Sequence, residues 1–213
     1  MKLVFVDFED SFTNNILSYF NEFDFKIEVV NFRKLSHSNI AHYFNNNLVV
    51  LGPGPGHPDE YLNLFKDAGI ELTDFKAELQ KARRLIGICL GHQMILYLLD
   101  ELKVVRSSIP MHGQAVEIEI GEGQALFDCF SEADRKVLRR AKLQRYNSLT
   151  LQISSGDYYS GKWESETQLV FDKHNELLMA YRPNRFLTMQ FHPESVGTSC
   201  NNILFQAMNK FFM

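Results

Sequence analysis

A cysteine between two glycines is the first feature of the sequence that could carry out chemistry. It lies in Gly87-Ile-Cys89-Leu-Gly91, where an apolar run ends and a helical pattern begins. A nucleophile on such a strand-to-helix turn is exposed at the edge of a sheet. The positive end of the following helix would favour the thiolate, and the Leu90 N–H would face an oxyanion. The alternative is a buried structural cysteine packed as a small hydrophobe.

A histidine and a glutamate two residues apart form the second feature. His192-Pro193-Glu194 follows the apolar segment 187–191. In an extended segment, residues i and i+2 point to the same side, and Pro193 biases His192 toward the extended conformation. A histidine held by a carboxylate can deprotonate a thiol and then protonate a leaving amine. A solvated His-Pro turn is the alternative, but together with Cys89 the pattern favours catalysis.

The third feature is the loop Gly52-Pro-Gly-Pro-Gly-His-Pro58, which holds three of the six prolines and three of the twelve glycines of the chain. Proline fixes φ and removes a donor, whereas glycine allows close approach of the backbone to a ligand. Such a stiff loop with few N–H groups suits a second oxyanion donor and a clamp for a small substrate. It could also be a plain turn. It is not a phosphate-binding loop, because no Gly-Lys-Ser/Thr follows.

The first half of the chain alternates strand and helix patterns, which must bring these features together. Short apolar runs predict strands, and apolar residues at three- and four-residue steps predict helices. The predicted strands are 2–7, 26–32, 47–51 and 84–89, and the predicted helices are 12–23 (capped by Asp10 or Ser11), 38–44, 71–82 and 91–99. This rhythm predicts an α/β fold with a mostly parallel central sheet and helices on both faces.

In the second half this alternation stops, and strand patterns follow one another with turns between them. This indicates a mixed or antiparallel portion that extends the sheet. The predicted strands are 111–120, 149–153, 169–171, 177–182 and 187–191, followed by a last helix over 200–212. The polar stretches 131–142 and 154–167 are interpreted as surface insertions.

Length and composition limit the remaining possibilities. The 213 residues predict a single domain over 1–213. The net charge of −4, with 23% charged and 45% hydrophobic residues, is typical of a soluble globular chain and argues against nucleic acid as a partner. Three cysteines with no metal-type spacing argue against a disulfide scaffold and against a bound metal. The N-terminal apolar run, broken at Asp7, is too short for a signal peptide or a membrane span, which predicts a cytoplasmic protein.

Five segments recur in the order of a known family. They are Asp7-Phe-Glu-Asp-Ser-Phe-Thr13, Gly52 to Pro58, Gly87-Ile-Cys-Leu-Gly-His-Gln93, Met111-His-Gly113 and Gln190-Phe-His-Pro-Glu-Ser195. The chain thereby resembles the class I (triad) glutamine amidotransferases, and most closely the glutaminase subunits (component II) of anthranilate synthase and para-aminobenzoate synthase. The resemblance covers nearly the whole chain and implies a flavodoxin-like sheet.

The resemblance assigns roles to residues of this sequence. Cys89 would attack the side-chain carboxamide of glutamine, His192 would act as base and then as acid toward ammonia, and Glu194 would orient His192. A glutamyl thioester would form and be hydrolysed by water. The oxyanion donors would be the N–H groups of Gly54 and Leu90. The residues that hold L-glutamine would be Gly54, Gly56, Leu90, Gln93, Ser148 and Leu149.

The resemblance also implies a partner. Only nineteen residues follow Glu194, too few for an ammonia-accepting synthase, so we expect a separate synthase chain (component I) that binds chorismate and Mg²⁺. No cofactor or metal is expected in this chain. The product would be anthranilate; the alternatives are a component of para-aminobenzoate (aminodeoxychorismate) synthase or a component serving both. The competing interpretations are a stand-alone γ-glutamyl hydrolase and a catalytically idle binding protein.

The sequence departs from the family pattern at three places. Asn147 replaces the histidine of R-Y-H-S-L, Asp100-Glu101 replaces Gly-Gly, and Gly52 replaces an expected serine. Asn147 can still form hydrogen bonds but cannot titrate near neutrality. None of the three belongs to the expected triad.

Overall fold

A seven-stranded sheet forms the centre of the protein in the computed structural model, which describes residues 1–117, 127–153, 167–172 and 174–213. The spatial order of its strands is β2-β1-β3-β4-β11-β10-β9. The bounds are β1 Lys2–Asp7, β2 Lys26–Asn31, β3 Leu48–Leu51, β4 Arg84–Ile88, β9 Gln168–Phe171, β10 Leu177–Arg182 and β11 Phe186–Met189. Strands β1 to β4 and β11 are parallel, whereas β10 and β9 are added antiparallel.

Helices cover both faces of this sheet. Their bounds are α1 Thr13–Phe20, α2 Ile40–Phe44, α3 Pro58–Asp67, α4 Leu72–Lys81, α5 Leu90–Leu99, α6 Glu132–Leu138 and α7 Asn201–Phe212. Alternate residues of a strand point to opposite faces. Leu3 and Phe5 of β1 accordingly join the core under α1 and α7, and Val4 and Val6 join the core under α2 to α5. The predicted α/β fold with a mostly parallel sheet and an antiparallel portion is confirmed.

Two of the strands predicted in the second half do not extend the central sheet. The segment predicted over 149–153 is β8, Leu149–Gln152, and it pairs with β5, Lys103–Arg106, in a separate two-stranded ladder. The segment predicted over 111–120 contains β6, Gln114–Glu117, which pairs with β7, Lys142–Arg145. Residues 118–120 lie outside the described part. A strand pattern reports extended backbone and burial but not the pairing partner, so this arrangement could not be predicted.

Several local predictions were wrong. The N-cap of α1 is Phe12 and makes no side-chain cap hydrogen bond; Asp10 instead accepts from the Phe12 N–H at 2.8 Å, ahead of the helix. Helix α3 was missed because its N-cap, His57, belongs to the Gly/Pro loop; the His57 ring nevertheless accepts from the Asp59 N–H at 3.1 Å.

The stretch 131–142 is not a bare insertion either. It contains α6, capped by Ser131, and leads into β7. Most of the stretch 154–167 lies outside the described residues. Among the residues that the structure does describe, no helix is both long enough and apolar enough to cross a membrane.

Candidate active site

Cys89 lies at the turn between β4 and α5 in a left-handed backbone conformation, with φ 52° and ψ −101°. The flanking glycines make this turn possible. A Cβ on Gly87 would lie 2.6 Å from the Gly91 carbonyl oxygen, and a Cβ on Gly91 would lie 2.0 Å from the Leu51 carbonyl oxygen. The backbones of the strand, the turn and the helix are therefore in direct contact. Cys89 immediately precedes the first residue of the helix. A non-glycine residue at positive φ is unfavourable and persists only where the surrounding structure holds it.

Strand pairing brings the ends of β4 and β11 together. Ile88 pairs with Met189, and the Cys89 N–H donates to the Met189 carbonyl at 2.8 Å. The residue after Met189 therefore lies beside the cysteine. It is Gln190, fully buried, whose Nε2 donates to the Cys89 sulfur at 3.8 Å.

His192 and Glu194 are both buried and in direct contact. The distance from His192 Nδ1 to Glu194 Oε1 is 2.6 Å. The other carboxylate oxygen, Oε2, is buried and has no hydrogen-bond partner within the described part of the chain. The rings of Phe12 and Tyr146 lie against His192, with centroids at 5.3 and 5.0 Å. The imidazole is thus held by one carboxylate and two aromatic rings.

The backbone of this segment is also fixed. The His192 N–H donates to the Gln144 carbonyl at 2.9 Å, and the Thr198 hydroxyl donates to the His192 carbonyl at 2.7 Å. The first bond ties the segment to β7, an element outside the central sheet. The histidine is therefore positioned by contacts that come from three separate parts of the sequence.

The electrostatics of the site favour a protonated histidine beside the sulfur. Burial by itself opposes the charge on His192, but the interaction with Cys89, by charge and by hydrogen bond, and then the contact with Glu194 raise the pKa of His192 well above 6.5. Because Cys89 makes the largest contribution that raises this pKa, we infer that its sulfur lies near the imidazole. A thiolate–imidazolium pair held by a carboxylate can attack a carbonyl carbon and protonate a leaving amine.

The Gly/Pro loop lies against the start of α5. A Cβ on Gly54 would lie 2.7 Å from a Leu90 methyl carbon and 2.6 Å from the Phe8 Cβ. In the described part of the chain, the N–H groups of Gly54 and Leu90 have no acceptor. Gly56 has φ +79°, and the Tyr61 hydroxyl donates to the Pro55 carbonyl at 2.7 Å, which fixes the loop. Two free donors on neighbouring segments can bind an oxyanion.

The remaining expected substrate residues come from α5 and from the start of β8. Gln93 is buried, and its Nε2 donates to the Leu149 carbonyl at 3.1 Å. Ser148 is exposed, and its carbonyl accepts from the Ser107 N–H at 2.9 Å. The structure therefore joins Gln93 to Leu149 and places Ser148 next to them on the surface.

Three residues in contact with the expected triad were not singled out from the sequence. Gln190 contacts the sulfur, and Phe12 and Tyr146 contact the imidazole. Gln190 lies in the recognised Q-F-H-P-E-S segment, directly after a strand, and this position was the signal that could have identified it. Nothing in the local pattern of Phe12 or Tyr146 distinguishes them from core aromatics.

Other features of the molecule lie apart from this site. A cavity of about 520 Å³ is lined by the β5–β8 ladder and by the turn before β10, and it contains none of the expected site residues. The described residues contain no group of three or more His, Cys, Asp or Glu arranged to hold a metal ion. All three cysteines are free, and burial raises the pKa of Cys129 and of Cys200 to about 12.

The residues that depart from the family pattern lie in the following surroundings. Asp100 pairs with Arg182 at 2.6 Å, and Glu101 has φ 58°, a conformation that glycine adopts without strain. A Cβ on Gly52 would lie 2.8 Å from the Phe5 ring, so serine does not fit beside this phenylalanine. Asn147 accepts from Arg145 Nε at 3.0 Å.

Comparisons with known proteins agree on one family. The sequence model described as glutamine amidotransferase class-I matches residues 4–211. The chain is 31% identical to an anthranilate synthase component 2 of Archaeoglobus fulgidus, over 92% of this chain and 90% of that protein. It is 28% identical to an aminodeoxychorismate/anthranilate synthase component 2 of Bacillus subtilis, over 92% and 90%. A solved structure of a putative GMP synthase protein from Thermoplasma acidophilum has a similar fold, with a TM-score of 0.71 at 16% identity over 99% of this chain and 92% of that one.

Proposed function

The chain belongs to the class-I glutamine amidotransferase family, and we propose that it hydrolyses L-glutamine with Cys89, His192 and Glu194 and passes the ammonia to a separate chorismate-aminating synthase. The observation that carries the proposal is the buried His192–Glu194 pair at 2.6 Å, whose histidine has its pKa raised by Cys89, a residue held at positive φ on a strand-to-helix turn. The reaction class is acyl transfer through a thioester.

In the first half-reaction, the Cys89 thiolate attacks the side-chain carbonyl carbon of glutamine and forms a C–S bond. The negative charge that develops on the oxygen is stabilised by the N–H groups of Gly54 and Leu90. Protonated His192 gives its proton to the amide nitrogen, the C–N bond breaks, and ammonia leaves. Each oxyanion donor contributes on the order of 3 kcal/mol to the lowering of the barrier.

In the second half-reaction, neutral His192 removes a proton from water, which attacks the glutamyl thioester. The C–S bond breaks, glutamate leaves, and the thiolate–imidazolium pair is restored. Glu194 accepts a hydrogen bond from Nδ1 throughout, so that Nε2 is the nitrogen that exchanges the proton. Gly56, Gln93, Ser148 and Leu149 would hold the rest of glutamine.

The proposal of a separate partner is supported by the relatives. Those named component 2 match this chain over about nine-tenths of their own length. We therefore expect a two-component synthase whose component 1 binds chorismate and Mg²⁺. Several relatives are named for anthranilate synthase alone, which makes anthranilate the first product to test.

Two alternatives lead to different products. The Bacillus subtilis relative is named for both aminodeoxychorismate and anthranilate synthase, which favours testing this chain as a component of para-aminobenzoate synthase or of both enzymes. A stand-alone γ-glutamyl hydrolase would use the same Cys89 and His192 without a partner, and it would release products into solution.

Ammonia release from glutamine by the wild-type chain and by Cys89→Ala tests the nucleophile. Cys129→Ala is the matched control, because Cys129 is also a buried free thiol but is not one of the expected site residues. We expect activity in the wild type and the control and none in Cys89→Ala. Activity that persists in Cys89→Ala would overturn the assigned nucleophile.

Co-expression with the chorismate-binding synthase of the same organism tests the partner. We expect a complex that makes anthranilate with glutamine as nitrogen donor, and that loses glutamine-dependent but not ammonia-dependent activity with Cys89→Ala. Formation of aminodeoxychorismate would support the first alternative. Cleavage of γ-glutamyl peptides without any complex would support the hydrolase.

A further inference from the structure

We propose that Gln190 is a positioning residue that holds the Cys89 sulfur through its side-chain amide, and that the Leu149 carbonyl, itself held by Asn147 and Arg145, sets the orientation of that amide through Gln93. This inference rests on the proposed function, because it concerns the same nucleophile. The steps from Arg145 to Cys89 run through Asn147, Leu149, Gln93 and Gln190.

The chain of bonds begins at a buried cation. Arg145 is 0% exposed, and its guanidinium pairs with Asp172 at 2.7 Å and with Glu176. The Ser107 hydroxyl also donates to Glu176. A guanidinium held by two carboxylates has no freedom to turn, and its nitrogens are donors only. The starting point is therefore fixed in both position and polarity.

Arg145 fixes the orientation of the Asn147 amide, which in turn bonds the Leu149 carbonyl. Because Arg145 Nε must donate, the Asn147 atom at 3.0 Å is the oxygen Oδ1. The Asn147 amide nitrogen then faces the Leu149 carbonyl oxygen at 2.9 Å, which can only accept. The orientation of Asn147 therefore satisfies both neighbours, and the reverse orientation satisfies neither.

The same carbonyl orients the two glutamines. It accepts a second bond, from Gln93 Nε2 at 3.1 Å, and so identifies that atom as the amide nitrogen. Gln93 Nε2 also donates to Gln190 Oε1 at 3.0 Å. The other polar atom of the Gln190 amide is consequently the nitrogen, Nε2. It lies 3.8 Å from the Cys89 sulfur and donates an N–H···S hydrogen bond to it.

These hydrogen bonds direct an N–H group of Gln190 at the Cys89 sulfur, and they form without the substrate. An N–H group directed at sulfur is bonded more strongly when the sulfur is a thiolate, so it favours the ionised form and restrains the position of the attacking atom. Gln190 is completely buried, and its own orientation depends on Gln93, which is also one of the expected substrate residues.

The rate at which iodoacetamide alkylates Cys89, followed by mass spectrometry from acidic to alkaline pH, tests this role. The reagent needs no glutamine, and the raised pKa of Cys129 and Cys200 keeps them unreactive near neutrality. For Gln190→Leu we expect the midpoint of the alkylation profile to move up by about one pH unit. For Gln190→Glu we expect a larger upward shift, because an anion replaces the donor.

Thr188→Val is the matched control. Thr188 is fully buried on β11, the strand that Gln190 follows, and bonds His92 instead of Cys89. The alkylation midpoint of Thr188→Val should therefore equal that of the wild type. Gln93→Leu should move the midpoint in the same direction as Gln190→Leu, and the double variant should shift no further than Gln190→Leu alone. A shared effect of this kind would not follow from simple loss of packing.

A folded Gln190→Leu whose midpoint equals that of Thr188→Val would overturn the proposal, and if Gln190→Leu does not fold, Gln190→Glu decides by the same criterion. The proposed function fails separately. If the wild-type chain and its complex release no ammonia from glutamine, the glutaminase activity is refuted, while the alkylation profiles still report whether Gln190 acts on Cys89.

Discussion

At the scale of single residues, the site combines one strained backbone position with buried, oppositely charged partners. Cys89 holds φ 52°, and the pKa of His192 is raised well above its usual value by the groups on either side of it. A raised histidine pKa stabilises the folded chain below the unfolded value of about 6.5, and this stabilisation is lost as the pH rises through the folded pKa. The active protonation state and the stability of the site are therefore linked.

The first residue-scale prediction concerns Glu194. Glu194→Gln keeps the shape of the side chain but removes the charge that holds the imidazole at 2.6 Å. We expect kcat for glutamine hydrolysis to fall on the order of 10²- to 10⁴-fold, with a smaller change in KM. Steady-state kinetics check this, with Glu78→Gln on α4 as control. An unchanged kcat would contradict the orienting role.

The second residue-scale prediction concerns His92, which is fully buried and bonds the Thr188 hydroxyl at 2.9 Å. Burial, with a smaller contribution from the charge of Arg145, lowers the pKa of His92 to about 3. Below about pH 6.5 the unfolded chain binds a proton at this histidine and the folded chain does not. The free energy of unfolding therefore falls by about 1.4 kcal/mol per pH unit because of this residue.

His92→Asn removes this titration. We expect the free energy of unfolding, measured in urea, to fall less steeply below about pH 6.5 than in the wild type. Thr188→Val is the control, because it removes the partner and keeps the titrating histidine. If the variant and the wild type lose stability in parallel on acidification, the assignment to His92 is wrong.

At the scale of elements, the site is assembled from the carboxyl ends of parallel strands. Cys89 follows β4, Gln190 follows β11, and the loop 52–58 follows β3. The Gly91 N–H donates to the Gly52 carbonyl at 3.2 Å, which ties the loop to the first turn of α5. The proposed oxyanion donors therefore belong to two segments that are joined by a backbone hydrogen bond.

The element-scale prediction concerns the end of α5. Glu101 has φ 58°, where a Cβ is unfavourable, and its pairing with Lys76 is exposed. We expect Glu101→Gly to increase stability by up to about 1 kcal/mol, or about 2–4 °C in Tm. Asn46→Gly, at φ 57°, is the control and should increase stability less, because asparagine tolerates this region. A lower Tm for Glu101→Gly would contradict the prediction.

At the scale of the whole molecule, elements from the end of the chain pack against elements from its beginning. Strand β11 inserts between β4 and β10, and α7 packs on α1, where the Phe205 ring stacks on Tyr19 with centroids 4.2 Å apart. Such contacts join the first and last helices of the chain. We propose that residues 1–213 unfold as one cooperative unit.

The whole-molecule prediction concerns this joint. Phe205 is 1% exposed and also meets Phe20 edge-on at 5.5 Å. We expect Phe205→Ala to cost about 3–5 kcal/mol and to shift the entire unfolding transition, measured by circular dichroism in urea. Val196→Ala, at a fully exposed position, should change little. A separate early transition in Phe205→Ala would contradict a single unit.

Much of the fold and of the expected site could be predicted from the sequence. Strands buried on both faces produce continuous apolar runs, and helices produce a different period, so the α/β layers and β1 to β4 were predictable from local pattern. Cys89, His192 and Glu194 were identified because each follows an apolar run and lies in a segment that resembles a known family. The pairing of β5 with β8 and of β6 with β7 was not predictable, because hydrophobic periodicity does not specify which strands pair with each other.

The sequence by itself determined the types of chemical group available and the strand ends that carry them, because both depend on local composition and spacing. Only the tertiary structure decided which groups touch. Gln190 reaches Cys89 because Met189 pairs with Ile88, and the Leu149 carbonyl orients Gln93. These contacts join residues about 50 to 100 positions apart, and strand register and close packing, which no local pattern encodes, bring them within hydrogen-bond distance.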